Sequence, residues 1–477
     1  MENKQELERM IRSMITEIMK GDGPTINVSS AVTEESQAVE GEPGVFKTVG
    51  AAVEAAKKAQ HIFEECTLAT RGKAITAIRT AMRPMVETLA KMTYEETGMG
   101  RVADKIIKLN LTLDKTPGVE DLVTECETGD NGMTLYELSP YGVIGAITPS
   151  TNPSETLICN AIGMLAAGNA IFFSVHPGAK KLSRWLVSRL NEIVRDAIGI
   201  ENLIVTIEEP SIEAAQEMMV HPDISLLVVT GGPGVVHQAL CSGKKVIGAG
   251  AGNPPAFVDE TAQIKKAAQD IVLGASFDNN ILCIAEKSVV AMRSIVDELV
   301  QHMIDAGSVL ITDERQINKL LEITLQANGS PSRKFVGRNA KVILKAAGIP
   351  CEGDPRLIIM RTDKNHPFAT TEMLMPILPI VTVDSFEEGL ATCLFLENGL
   401  HHTAVMHSLN MERLNRMARA MKTSIFVKNG PSFAGLGYNG EGTTTFTIAT
   451  PTGEATTTAR HFARRRRCCL TTGFQIR

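Results

Sequence analysis

Cys283 stands in the run SFDNNILCIAEK (276–287), just after the polar residues Asp278, Asn279 and Asn280. A thiol on such a loop can act as an accessible nucleophile towards an electrophilic carbon. The bland alternative is a small buried hydrophobe, and eight other cysteines compete for the role. Two glycine-rich runs offer a second kind of chemistry. Gly231-Gly232-Pro233-Gly234 follows the apolar run ISLLVVT and opens a helix, which turns backbone N–H groups and a helix N-terminus towards a pyrophosphate. It is not GxGxxG, and such turns also occur without a ligand. The run IGAGAGNPPAFV (247–258) joins two apolar strands with almost no side chains, so something approaches its backbone closely or the chain hinges there. Other signatures are missing. Gly243-Lys244 has no glycine five residues upstream, and neither GxSxG nor HExxH occurs. His401, His402 and His407 lie on an apolar segment without a carboxylate at ligand spacing, so they read as structural rather than metal-binding.

These residues need a scaffold, and the hydrophobic pattern supplies one. The 477 residues are 44% hydrophobic, 21% charged and 4% aromatic, which suits about three domains or two large ones. The net charge of −6 argues against nucleic acid as a partner. No run of ~18 apolar residues indicates a membrane span, and no cleavable signal is evident. Nine scattered cysteines without CxxC spacing read as free thiols of an intracellular, cytoplasmic chain. Helical spacing runs through 47–115. After residue 140 short apolar strands at 143–147, 170–175, 203–207 and 224–229 alternate with helices at 153–167, around 182–194 and near 211–220, the pattern of parallel βαβ units. A second α/β stretch follows: a helix at 261–273, a strand at 288–291, a helix at 293–306, and strands near 357–361 and 378–383. The threonine-rich tail from 443 reads as extended structure able to pair with a sheet edge.

The first twenty residues stand apart. Leu7, Met10, Ile11, Met14, Ile15, Ile18 and Met19 form one helical stripe, and 21–44 is a polar, acidic linker. Such a helix must dock its stripe on its own subunit, a partner protein or a membrane surface, and two basic residues, Arg9 and Arg12, are too few for a lipid-binding face.

In order along the chain, TPSTNP (148–153), SVHP (174–177), VVTGG (228–232), GAGAGNPP (248–255), Cys283 and TEMLMP (371–376) resemble the aldehyde dehydrogenase superfamily over roughly 45–477. HPGAKK, SIFVKNGPS (424–432), TIATPTGE (447–454) and the arginine-rich C-terminus resemble its CoA-acylating branch from bacterial microcompartments. The resemblance implies an α/β fold with a Rossmann-type cofactor domain (45–119 and 141–252), an α/β catalytic domain (253–442) and a β oligomerisation arm (120–140 and 443–477). It implies NAD, with NADP open, and CoA as co-substrate for a short-chain aldehyde, propionaldehyde favoured over acetaldehyde. It further implies a homodimer or homotetramer, and docking of 1–20 on a shell protein in a microcompartment lumen.

By the same resemblance Cys283 is the nucleophile, Glu372 the ribose-holding glutamate, and Gly231 and Gly232 the pyrophosphate turn. Thr148, Pro149, Ser150, Pro177, Thr230 and Gly250 line the cofactor. His176 stands where a lysine commonly binds the adenosine ribose, and the oxyanion donor is Asn152 or Thr151, with Asn152 preferred. One departure is informative. Ala249 aligns with the general-base glutamate of hydrolytic relatives and cannot activate water, so a cysteine thioester formed here needs a thiol acceptor. A hydrolytic enzyme and a catalytically silent cargo protein are the competing expectations.

Overall fold

The computed structural model describes residues 38–473. The expected amphipathic helix 1–20 and linker residues 21–37 lie outside the described residues. The remaining stretch assigned to the linker is tied down. Val39 N–H donates to Val45 O at 2.8 Å, and Glu42 takes two hydrogen bonds from the Arg184 guanidinium at 3.0 and 2.9 Å. A turn stabilised by one distant arginine leaves no periodicity in the sequence.

The short strand β1 (Val45–Phe46) leads into four helices, α1 (Val49–Glu64), α2 (Leu68–Met82), α3 (Val86–Thr97) and α4 (Val102–Lys115). The antiparallel strands β2 (Glu125–Gly129) and β3 (Gly132–Pro140) come next. Then the alternation sets in: β4 (Val143–Ile147), α5 (Pro153–Ala166), β5 (Ala170–Ser174), α6 (Lys180–Ile198), β6 (Ile204–Ile207), α7 (Ile212–Val220), β7 (Ile224–Thr230), α8 (Pro233–Leu240) and β8 (Val246–Ala249). The strands pair in the order β1-β6-β5-β4-β7-β8, all parallel. Burial on both faces explains the solid apolar runs: every residue of β4 and β5 is buried.

Five residues, 250–254, lead from β8 to β9 (Pro255–Val258), the first strand of a second parallel sheet. Its other members are β10 (Ser288–Met292), β11 (Ser308–Leu310), β12 (Leu357–Arg361), β13 (Ile377–Val383), β14 (Thr403–His407) and β15 (Ile425–Lys428), in the order β11-β12-β13-β10-β9-β14-β15. Helix α9 (Ile264–Ser276) runs three residues later than the pattern predicts. Asp259 closes a local turn by accepting from Thr261 N–H at 2.9 Å, and the buried positions 267, 268, 271, 272 and 275 carry the helix on to Ser276. The pattern does not separate β11, β14 and β15, which are three to five residues long.

The threonine-rich tail forms the small pair β16 (Ile448–Ala449) and β17 (Ala455–Thr456), then β18 (Ala463–Thr471). β18 pairs antiparallel with β3 from Ala463↔Pro140 to Thr471↔Gly132, giving a three-stranded sheet β18-β3-β2 with β18 and β2 as its outer strands. No helix among the described residues is long and apolar enough to cross a membrane.

Candidate active site

Two strand edges carry the candidate residues. In the first sheet β4 leads to β5 and β6 on one side, and the chain then returns to add β7 and β8 on the other. The order therefore reverses between β4 and β7, and at such a switch point the carboxyl ends of the strands open a crevice for a ligand. Thr148, Pro149 and Ser150 follow β4, while Thr230 ends β7 and is followed by Gly231 and Gly232. His176 and Pro177 follow β5, and Gly250 follows β8. All nine residues thus lie at the same ends of four adjacent strands.

The crevice is chemically suited to a dinucleotide. Helix α8 begins at the β7 end without a side-chain cap, and a Cβ placed on Gly232 or Gly234 would meet nothing within 4 Å. The space beside these two glycines is open, and the first turn of α8 has uncapped N–H groups of the kind that bind a pyrophosphate. Thr148 Oγ1 is buried without a protein partner. His176 departs from the lysine pattern in charge as well as shape. Its Nδ1 accepts from Gly178 N–H at 2.9 Å, and desolvation, aided by the nearby Arg333 guanidinium, holds its pKa below the ordinary histidine value.

The second sheet presents its opposite edge. Gly252 precedes β9, Cys283 precedes β10, Glu372 precedes β13 and His402 precedes β14, and these strands are neighbours in the order β13-β10-β9-β14. Residues 250–254 span at most ~18 Å, so the amino edge of this sheet lies close to the carboxyl edge of the first.

Asp278, Asn279 and Asn280 all take left-handed backbone angles, with φ of 46°, 55° and 67°. Such a run is sterically costly and persists only where side chains enforce it. Lys287 supplies part of that enforcement. Its buried ammonium donates to Asn280 O at 2.8 Å, Asn280 Oδ1 at 2.6 Å and Leu282 O at 2.9 Å, bracing the chain up to the residue before Cys283. The close approach of Gly252 is equally specific. A Cβ there would lie 2.8 Å from Cys283 O and 2.8 Å from the His402 ring. His402 is buried with Nδ1 2.9 Å from Thr403 Oγ1 and no partner for Nε2. Burial, with the charge of Lys287, pushes its pKa down to about 4, so it is a neutral imidazole.

Cys283 is half-buried. Burial and the Glu372 carboxylate push its thiol up to about 12, while Lys287 and backbone hydrogen bonds oppose the shift. Burial raises Glu372 to about 7 and lowers Lys287 to about 8, and each charge favours the other. The signs give a test in the free protein. Glu372→Gln removes a negative charge, so alkylation of Cys283 by iodoacetamide speeds up above pH 7, and the gain fades below it as the native carboxylate protonates. Lys287→Met slows alkylation below pH 8, where the native ammonium is charged. Identical rates for all three proteins from pH 6 to 9 would contradict this electrostatic account.

Asn152 is buried at the start of α5. Its Oδ1 accepts from Lys108 Nζ at 2.6 Å, and its Nδ2 is 3.4 Å from Thr151 Oγ1. The amide thus presents its N–H groups away from Lys108, whereas Thr151 carries only a hydroxyl. Neither Lys108 nor Lys287 carries a sequence signature of these contacts. Ala249 is buried at the end of β8, opposite Thr230.

A glycine turn at the switch point of one sheet and a braced cysteine loop at the edge of the other fit a dinucleotide-dependent enzyme that works through a thiol. The aldehyde dehydrogenase family model matches residues 19–439, and the chain belongs to that family. It is 51% identical over 476 residues to the propanal dehydrogenase (CoA-propanoylating) of Salmonella typhimurium, over the full length of both chains. A crystal structure of Rhodopseudomonas palustris propionaldehyde dehydrogenase with bound CoA and an acylated cysteine is similar at a TM-score of 0.89 and 48% identity, over 91% of this chain and 99% of that one. A propionaldehyde dehydrogenase from the fucose utilisation microcompartment of Clostridium phytofermentans gives 0.90 and 47%, over 91% and 100%.

Proposed function

We propose that the chain is a CoA-acylating aldehyde dehydrogenase, converting a short aldehyde, NAD and CoA into acyl-CoA and NADH. The observation that carries the reading is the convergence of Cys283, Glu372 and Gly252 at one sheet edge, joined to the nucleotide crevice by five residues. The Cys283 thiolate adds to the aldehyde carbon, giving a thiohemiacetal whose oxyanion takes hydrogen bonds from the Asn152 amide and the Cys283 N–H. A nicotinamide dinucleotide in the crevice accepts hydride from that carbon, its ribose held by Glu372. The alkoxide collapses to the acyl-Cys283 thioester. CoA thiolate then attacks the acyl carbon, and the Cys283 sulfur leaves and is reprotonated. Ala249 supports thiolysis over hydrolysis, since no base stands at that position to activate water.

The substrate we favour is propionaldehyde, as in the relatives with the highest identity reported above. With saturating CoA, kcat/KM for propionaldehyde should exceed that for acetaldehyde by about tenfold or more, the scale of one methylene in an apolar pocket. Preference for acetaldehyde would reassign the substrate and leave the chemistry intact. The outer strand β18, exposed from Arg464 to Thr471, favours pairing into a dimer or a dimer of dimers. The amphipathic stripe of 1–20 and the microcompartment origin of the Clostridium phytofermentans enzyme support a role for that segment in binding a shell protein and a place in a microcompartment lumen.

A further inference from the structure

Lys108 touches none of the reacting groups in this scheme, yet its surroundings are specific. It is 1% exposed, and its ammonium lies 2.6 Å from Asn152 Oδ1, 3.0 Å from Glu155 Oε1 and 2.6 Å from Asp278 Oδ2. The Asn152 contact is a hydrogen bond, and the two carboxylates pair with the ammonium as ions. They belong to separate parts of the molecule. Lys108 is on α4, Asn152 and Glu155 start α5, and Asp278 lies five residues before Cys283.

Each end of the bridge is fixed. Asp278 Oδ1 accepts from Arg101 N–H at 2.7 Å, its second oxygen is shared with Lys105 at 3.1 Å, and its own N–H donates to Asp104 at 2.9 Å. Gly100, with φ of 77°, leaves the space that the Asp278 carboxylate fills, and a Cβ there would collide with it. Burial works against the charge of Lys108, but the carboxylates of Asp278 and Glu155 outweigh it and hold its pKa above the ordinary lysine value. A permanently charged donor facing Asn152 leaves one orientation for the amide. Reversing it would set N–H groups against an ammonium and leave a buried charge short of a partner.

We propose that Lys108 is a positioning residue that locks the Asn152 amide with its N–H groups towards the substrate oxygen and ties that donor, through Asp278, to the loop carrying Cys283. This rests on the reading of Asn152 as an oxyanion donor. Lys108 is thus absent from the chemistry but sets the geometry in which it happens.

The test is a double-mutant cycle on the NADH burst, with saturating NAD and propionaldehyde and no CoA. Wild type, Lys108→Met, Asn152→Ala and the double variant are compared, with the Kd for NAD measured alongside. Asn152→Ala should slow the burst about 10²- to 10³-fold, the scale of one lost oxyanion donor. Lys108→Met should slow it at least about 30-fold with Kd for NAD within about threefold, and less than about threefold further in the Asn152→Ala background. Equal slowing in both backgrounds, or none in either, overturns the positioning role. A normal burst in Asn152→Ala overturns the donor assignment, and the inference falls with it. If Lys108→Met does not fold, Lys108→Met/Glu155→Gln takes its place in the cycle under the same criteria. It removes one charge of each sign and leaves the Lys105–Asp278 pair intact.

Discussion

Cys283→Ala is expected to abolish acyl-CoA formation, lowering kcat by about 10⁴-fold or more while the protein folds and binds NAD as before. The size follows from the covalent route: without the sulfur neither the thiohemiacetal nor the thioester forms, and other groups of the site cannot substitute for a missing nucleophile. The stability cost is small, since Cys283 is half-buried and the loop is held by Lys287 and Asn280 rather than by the thiol. Unchanged thermal unfolding with NADH production gone is the predicted pattern. Normal NADH production would remove Cys283 from the chemistry and direct attention to the other cysteines. Cys159 and Cys393 are poor alternatives, because both side chains are buried whereas Cys283 is half-buried.

The second large effect is expected at Asn152. Asn152→Ala should lower kcat by about 10²- to 10³-fold with little change in KM for NAD, because the amide acts on charge that develops only when the carbonyl is attacked. Thr151→Val should cost far less, since the Thr151 hydroxyl lies beside the amide nitrogen and is not held by Lys108. Steady-state kinetics of the two variants settle the choice between neighbours that motif spacing leaves open. A larger loss in Thr151→Val would give the donor role to the hydroxyl.

The legibility of the sequence differed by region, and the reasons are physical. Strands buried on both faces, such as VIGAI and AIFFS, announce themselves because nothing polar survives there. The glycine turns after β7 and β8 were legible because runs with so few side chains stand out beside solid apolar strands. The positioning residues were hidden. In VADKIIKLNLTLDK, Lys105 and Lys108 look like the solvent face of an amphipathic helix, yet both are buried on the same side as Leu109 and Leu113. What buries them is Asp278, about 170 residues later in a left-handed turn that no local pattern marks. Lys287 likewise reads as a strand-flanking charge. Its role comes from the carbonyls of Asn280 and Leu282, which face inward only because of that turn.

In the proposed reaction a thioester on Cys283 waits for a thiol, because nothing at Ala249 can activate water. Rapid mixing with NAD and propionaldehyde in the absence of CoA distinguishes thiolysis from hydrolysis. The predicted result is one NADH per Cys283 followed by a stall, with one propionyl group on that cysteine by intact-mass measurement and turnover resuming when CoA is added. Steady NADH production to free propionate without CoA would contradict it.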